Sequence, residues 1–382
     1  MPASSVSGEA SKAMADQSAP TKTISDFEAK LSEADKSVAS FEKDDRTIGH
    51  LVRGLLRNYP TIIPTLILLL AILGFGLIAN NFLKLGTLSL VLQQVTVTGI
   101  IAIAQTVVIL TAGIDLSVGV ILVLSSIIMG RLATEDNALG AMVAQSGLQV
   151  PLAILIGISF ACLMGWINGA LVTYLKLPPF IVTLGTLSIF TYFKLWYSKS
   201  ETVRADVIEK QAPSLLWFGN DLHFGQASIT YGGISLIVLA SVVWYMLSRT
   251  AWGRHVHAIG DDPDAALLAG INTRWTLVSV YTFAGFICGL GAWISIGRVG
   301  SVSPIAFETI NLDSITAVVI GGTSLFGGRG SIIGSVLGAM IVGVFFTGLS
   351  LARFDSILQY LAAGCLVIFA VAIDQWLRRA SQ

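Results

Sequence analysis

Apolar positions in this chain come in long unbroken blocks, not in a strand's alternation or the single stripe of a surface helix. Ten blocks follow one another, at 60–79, 88–111, 116–130, 150–174, 180–196, 229–247, 277–296, 310–325, 332–351 and 357–373. A helix that crosses a bilayer needs about 20 apolar residues, roughly 30 Å at 1.5 Å per residue. Most of the blocks reach or approach that length without a charge. Open sheet or coil would leave backbone N–H and C=O groups unpaired in hydrocarbon, so helices are the structure such blocks adopt. The pattern predicts an all-α membrane protein, a polytopic bundle of about ten transmembrane helices.

The stretch before the first block behaves differently. Residues 1–47 are polar, and 1–22 are rich in Ser, Ala and Thr, a composition expected to be disordered. Within 25–42, Ser25 and Glu28 form a capping box. Ile24, Phe27, Leu31, Ala34, Val38 and Phe41 then recur every three or four residues, which predicts an amphipathic helix with a mixed, acid-leaning outer face. A membrane-surface helix would carry Lys and Arg on that face, so a cytoplasmic helix docking on protein is expected. The division is a tail at 1–47 and a membrane domain at 48–382. No apolar leader precedes the first block, which is expected to serve as its own insertion signal.

Orientation follows Lys and Arg near the ends of spans. Lys43, Arg46, Arg53 and Arg57 precede the first block, Arg249, Arg254 and Arg274 lie in the loop after the sixth, and Arg378 and Arg379 close the chain. An even number of spans places these groups and both termini in the cytoplasm. The segment 197–228 then lies outside, although it holds Lys199, Arg204 and Lys210 beside Glu201, Asp206, Glu209 and Asp221.

Composition supports the same class: 54% of residues are hydrophobic and 12% charged, against about 25% charged in soluble proteins. Lys+Arg and Asp+Glu are 23 each, so charge predicts no nucleic-acid partner. Cys162, Cys288 and Cys365 lie far apart inside apolar blocks and are read as packing residues. Without a C-x-x-C pair, and with four histidines in predicted loops (50, 223, 255 and 257), neither a metal site nor a buried proton relay is expected. The P-loop pattern G-x-x-x-x-G-K-[ST] is absent; Gly321–Gly330 is glycine-rich but lacks its Lys-Ser/Thr ending. That cluster is read as close helix approach and a tight turn. Gly165–Gly169, Gly285–Gly289 and Gly334–Gly338 are G-x-x-x-G pairs of the kind that bring helices together in lipid.

Two segments carry the candidate chemistry. The loop TAWGRHVHAIGDDPDAALLAGINTR at 250–274 holds a short helix signal. Asp262 is a good N-cap, Pro263 suits the first helical position, Asp264 suits the positive end, and Gly270 closes the helix. The small apolar face of Ala265, Leu268 and Ala269 suits a groove on a partner protein; the alternative is a loop touching only its own chain. The second segment is AGIDLSVG at 112–119, an acid between two apolar blocks, which is expensive unless capped, paired or wet. Asp115, assisted by Ser117, either caps the helix that follows or marks a backbone break lining a route for solute. Gln93, Gln94, Thr98, Gln105, Asn168, Thr183 and Thr186 offer the amides and hydroxyls that a passing polyol needs, and Asn311 and Asp313, with Glu308, are similar candidates.

Three stretches, ILTAGIDLSVG at 109–119, GRHVHAIGDDPDAALLAGIN at 253–272 and INLDSITAVVIGGTSLFGGRGSIIGSVLGA at 310–339, resemble the ribose/xylose/fructose-type permease subunits of bacterial ABC sugar importers. The resemblance runs from about residue 60 to the end of the chain, and AVAIDQWLRR at 370–379 looks most like the fructose-type members. It implies an inner-membrane permease translocating a monosaccharide, with a second copy of itself, a cytoplasmic ATP-binding subunit and a periplasmic sugar-binding protein as partners. ATP would be used by the partner subunit, with no cofactor in this chain and no catalytic residue. By the same similarity, loop 253–272 is a short cytoplasmic coupling helix and its flanks. It would seat on the ATPase through Gly253, Arg254, Asp262, Pro263, Asp264, Ala265, Ala266, Gly270, Ile271 and Asn272. The rival reading is an ion-coupled secondary transporter of a small polar solute, which would place ionisable groups inside spans, whereas nearly all acids fall at predicted ends. A membrane-embedded enzyme is disfavoured because no nucleophile–base pair is evident.

Overall fold

A computed structural model describes residues 61–134, 148–225 and 227–355, with scattered positions from 357 to 372. The tail, its expected helix at 25–42 and most of the tenth block lie outside the described residues. The helices, in order, are α1 (Ile62–Ile78), α2 (Leu85–Ile109), α3 (Val118–Thr134), α4 (Gln149–Tyr174), α5 (Pro179–Ser198), α6 (Ala205–Gln211), α7 (Tyr231–Arg249), α8 (Ala251–Asp261), α9 (Pro263–Leu268), α10 (Thr273–Val299), α11 (Ile310–Ile320) and α12 (Ile332–Leu351). Six of these, α2, α4, α5, α7, α10 and α12, are long and apolar enough to cross a membrane. The shorter apolar helices α1, α3 and α11 have 17, 17 and 11 residues. At 1.5 Å per residue α11 covers only about 16 Å. The eighth expected block stops at Ile320, where Gly321 and Gly322 turn the chain.

Burial shows how an apolar chain divides its surface. Val97, Ile100, Ile103, Val107 and Ile109 of α2 are fully buried, as are Ala292 and Cys288 of α10. On α1, by contrast, Leu69, Leu70, Leu73 and Leu77 are exposed, and so are Ile181, Tyr192 and Trp196 of α5. In water such faces would be untenable; in lipid they are the outer wall. The core is therefore built around α2 and α10, with α1 and α5 on the outside.

Glycine pairs set the closest packing. Gly165 of α4 meets Gly285 of α10, Gly169 faces Val278 and Tyr281, and Gly289 faces Ile158 and Ala161, so two G-x-x-x-G pairs bring the backbones of α4 and α10 together. A Cβ at Gly165 would overlap the Tyr281 carbonyl and stand 3.1 Å from the Gly285 Cα. Gly338 likewise meets the Ala317 carbonyl, and Gly334 meets Gly321, closing α12 on α11. Backbone approach of this kind gives the dispersion contacts that hold helices together where lipid is as apolar as leucine.

Structure at the two ends of the bundle differs from expectation. The polar segment 197–228 is not a bare loop. It forms α6, a 3₁₀ turn (Pro213–Gly219) and the first strand of an antiparallel hairpin, β1 (Asp221–Phe224) with β2 (Ala227–Thr230), so the chain is mostly but not wholly helical. Val203 pairs with Val302 across this end, and Gly219 packs on Gly297. At the other end, the loop expected to hold one short helix holds two, α8 and α9, which places His255 and His257 on a helix. Thr250 makes the difference: its hydroxyl accepts from Gly253 N, so α8 starts immediately after α7 ends.

Candidate functional site

The end that carries α8 and α9 is organised by caps. Asp262 Oδ1 accepts from Asp264 N at 2.9 Å and from Ala265 N at 3.0 Å, which starts α9 as its sequence requires. Gly270, at φ +82°, ends it in the left-handed region, where glycine carries no side-chain penalty. Asn272 Oδ1 then accepts from Trp275 N and opens α10. Asp264, Ala265, Leu267, Leu268 and Ala269 all face outward, Leu268 at 90% exposure. Ala266 points the other way and is buried against its own chain, as are Gly253, Val256 and Gly260 of α8. Arg254 and Asn272 are exposed, and Ile271 is half-buried. The coupling candidates thus separate into an outward face and an inward seam.

That seam is fastened to two other loops. His257 Nδ1 donates to Gly328 O at 2.8 Å, and Gly328 N donates to Leu110 O at 3.0 Å. Gly260 lies where any Cβ would overlap Leu110 O and approach Gly328 N at 2.5 Å. Gly327 and Gly328 turn the chain here with φ of +87° and +72°.

From Leu110 the chain leads inward to the break between α2 and α3. Asp115 is 1% exposed there, and its Oδ1 accepts from Ser117 N at 2.7 Å and Ser117 Oγ at 2.6 Å. Asn168 of α4 donates to Ser117 Oγ at 2.7 Å, and its Nδ2 stands 3.5 Å from Asp115 Oδ2. Thr183 of α5 donates to Ile114 O at 3.0 Å. Asn311 Oδ1 of α11 accepts from Gly119 N at 2.7 Å and so supplies a cap to α3 from a distant helix. Five of the candidates, Asp115, Ser117, Asn168, Thr183 and Asn311, therefore converge on one helix break. Tyr281 of α10 borders the same break: a Cβ at Gly113 would lie 2.6 Å from its hydroxyl.

The remaining candidates are elsewhere. Thr186 and Asp313 are tied within their own helices, to Thr183 O and by Thr309 Oγ1 respectively. Gln105 is fully buried, with neither amide atom hydrogen-bonded to protein. Gln93 and Thr98 are half-buried on α2, and Gln94 is exposed. Gln94 Oε1 accepts from Arg298 at 2.5 Å, a partner that sequence reasoning missed because Arg298 sits at the last turn of α10 and reads as an end charge. An open groove of about 340 Å³ along α1, lined by Ile67, Leu70, Gly74, Phe75 and Phe345, is almost wholly apolar and offers a sugar no hydroxyl partners.

Residues 87–371 match the family described as the permease component of the branched-chain amino acid transport system. The chain is 48% identical to the fructose import permease of Rhizobium meliloti, over 93% of this chain and 96% of that one. It is 36% identical to the ribose import permease of Bacillus subtilis, over 82% and 92% of the two chains. With that of Escherichia coli the figures are 33%, 81% and 91%. No solved structure matches. A family match across most of the chain, relatives covered nearly end to end, and a bundle of apolar helices with an exposed short helix at one end agree. The chain belongs to the membrane-spanning permease subunits of bacterial ABC sugar importers of the fructose and ribose type.

Proposed function

We propose that this chain translocates a monosaccharide, with fructose or ribose favoured, across the bacterial inner membrane as the permease of an ATP-driven importer. The observation that carries the reading is the 48% identity to a fructose import permease over almost the whole of both chains. In this reading two copies form the pathway, and a periplasmic binding protein delivers sugar at the end that carries α6 and the hairpin. A cytoplasmic ATPase seats on α9 and supplies the energy, since the sequence has no nucleotide-binding motif of its own. Both termini are cytoplasmic, about ten spans cross the bilayer, and α9 is the coupling helix.

The outward face of α9 supports that seat. Leu267 and Leu268 stand in the open at the charged end of the bundle, with Asp264 and Arg274 exposed in the same segment of the chain. Uptake of labelled fructose, ribose and xylose by a strain lacking the gene, with and without this chain restored, tests the substrate. If none of the three is taken up above background, the sugar assignment is wrong. Leu268→Asp tests the seat: the permease is expected to remain monodisperse in detergent but to lose the ATP-binding subunit on co-purification. Retention of that subunit at wild-type levels would remove α9 from the interface.

A further inference from the structure

Three loops that are far apart in sequence meet behind α9: the C-terminal half of α8, the turn 110–113 and the glycine turn 327–330. Their contacts run backbone to backbone. Gly328 N donates to Leu110 O, Gly260 lies against both, and a Cβ at Gly327 would sit 2.8 Å from Ala112 N and from Gly260 O. Two side chains enter the triangle: the Asp261 carboxylate lies against Gly328, where a Cβ would overlap its Oδ1, and His257 Nδ1 reaches Gly328 O at 2.8 Å. A carbonyl only accepts, so Nδ1 carries the proton in this bond. Three residues beyond Ala112 lies Asp115, where the α2–α3 break is tied to α4, α5 and α11 through Ser117, Asn168, Ile114 and Asn311. The path from α8 to the buried break thus runs mostly through backbone contacts, and packed backbones shift together and do not deform gradually.

We propose that this junction is the relay by which ATPase movement at α9 reaches the membrane interior, and that His257 is its positioning residue. The proposal rests on the reading of α9 as the ATPase seat. It adds what the glycine cluster at 321–330 is for: its turn is a bearing surface between the seat and the break, not a phosphate loop.

The test uses the whole importer, permease with ATP-binding subunit and sugar-binding protein, reconstituted in vesicles. ATP hydrolysis and sugar uptake are measured on the same preparation. For His257→Ala the ATP-binding subunit is expected to co-purify and hydrolyse ATP as in the wild type, while sugar moved per ATP falls by about fivefold or more, the lower end of ordinary coupling energies. His257→Asn, whose amide nitrogen can donate in place of Nδ1, is expected to restore the ratio. Should His257→Ala fail to assemble, His257→Phe keeps the ring and loses the donor, and is read the same way. A wild-type ratio in a correctly assembled Ala or Phe variant overturns the relay. So does a fall in hydrolysis that matches the fall in uptake. Loss of the ATP-binding subunit from the Leu268→Asp complex is a separate result, so a failed relay is distinguished from a failed seat.

Discussion

Replacing Asp115 probes the helix break directly. In the native chain one carboxylate oxygen accepts two hydrogen bonds from Ser117, at 2.7 and 2.6 Å, and the residue is 1% exposed. Alanine removes the acceptor and leaves Ser117 N buried without a partner; a buried donor stranded this way costs about 1–3 kcal/mol. The Ser117 hydroxyl also loses a bond, and Asn168 loses its 3.5 Å contact to Asp115 Oδ2, so the expected total is about 2–4 kcal/mol. Asparagine keeps one oxygen toward Ser117 N and is expected to cost about 1 kcal/mol. Cys288, wholly buried on α10, provides the readout in a background where Cys162 and Cys365 are alanine. Its labelling by a thiol reagent in detergent reports how often the bundle opens, and 2–4 kcal/mol corresponds to labelling faster by about 30- to 700-fold at a tenfold change per 1.4 kcal/mol. If the alanine variant protects Cys288 as well as the wild type does, the break is not held by Asp115 and the argument from burial fails.

Other contacts give independent tests. Gly285→Val drives a side chain into the Ala161 carbonyl of α4 and is expected to cost at least about 1–3 kcal/mol, read as a lower melting temperature in detergent. Asn311→Ala removes the cap on Gly119 N, and a loss of about 0.5–2 kcal/mol in the same assay is expected. Thr106 Oγ1 donates to Ser335 Oγ at 2.7 Å in the core. A double-mutant cycle with Thr106→Val and Ser335→Ala should give a coupling of about 0.6 kcal/mol, and zero coupling would deny that bond.

How much of this was legible follows from which physics is local. Block length gave the apolar helices, because a span of fixed thickness demands a run of fixed size, and the nine apolar helices described fall on the first nine expected blocks. Caps were legible as well: Asp262, Pro263 and Gly270 each do in the structure what their residue types favour. The glycine pairs were visible, but their partners were not, since sequence spacing cannot show that Gly165 meets Gly285. The convergence of Asp115 with Asn168, Thr183 and Asn311 was illegible for the same reason. Polarity named these residues one by one, and only tertiary packing separates them from Gln94 and Thr98 on the open side of α2. Helix α8 was missed because its polar residues, Arg254, His255 and His257, resemble loop composition, while the stripe of Gly253, Val256, Ile259 and Gly260 that it buries is half glycine. Ala266, placed by sequence on the partner-facing loop, is turned inward. A large residue there tests the docking of α9 on its own chain, not its contact with a partner.

The three stretches that carry the family resemblance, 109–119, 253–272 and 310–339, are also the three that meet behind α9. Their small residues have one physical reason in common. Gly260 and Gly327 leave room for carbonyls and amides of neighbouring loops to touch, so alanine at either would force a backbone apart, while Gly328 leaves room for the Asp261 carboxylate. Such a joint is a good place to transmit movement, because its closest contacts are backbone to backbone and His257 is held by a hydrogen bond. An ion-coupled transporter has no use for a rigid connection from an exposed helix at the end of the bundle to a buried break. A permease driven by a separate ATPase needs one, since its energy arrives as a push from outside the membrane and must be delivered to residues within it.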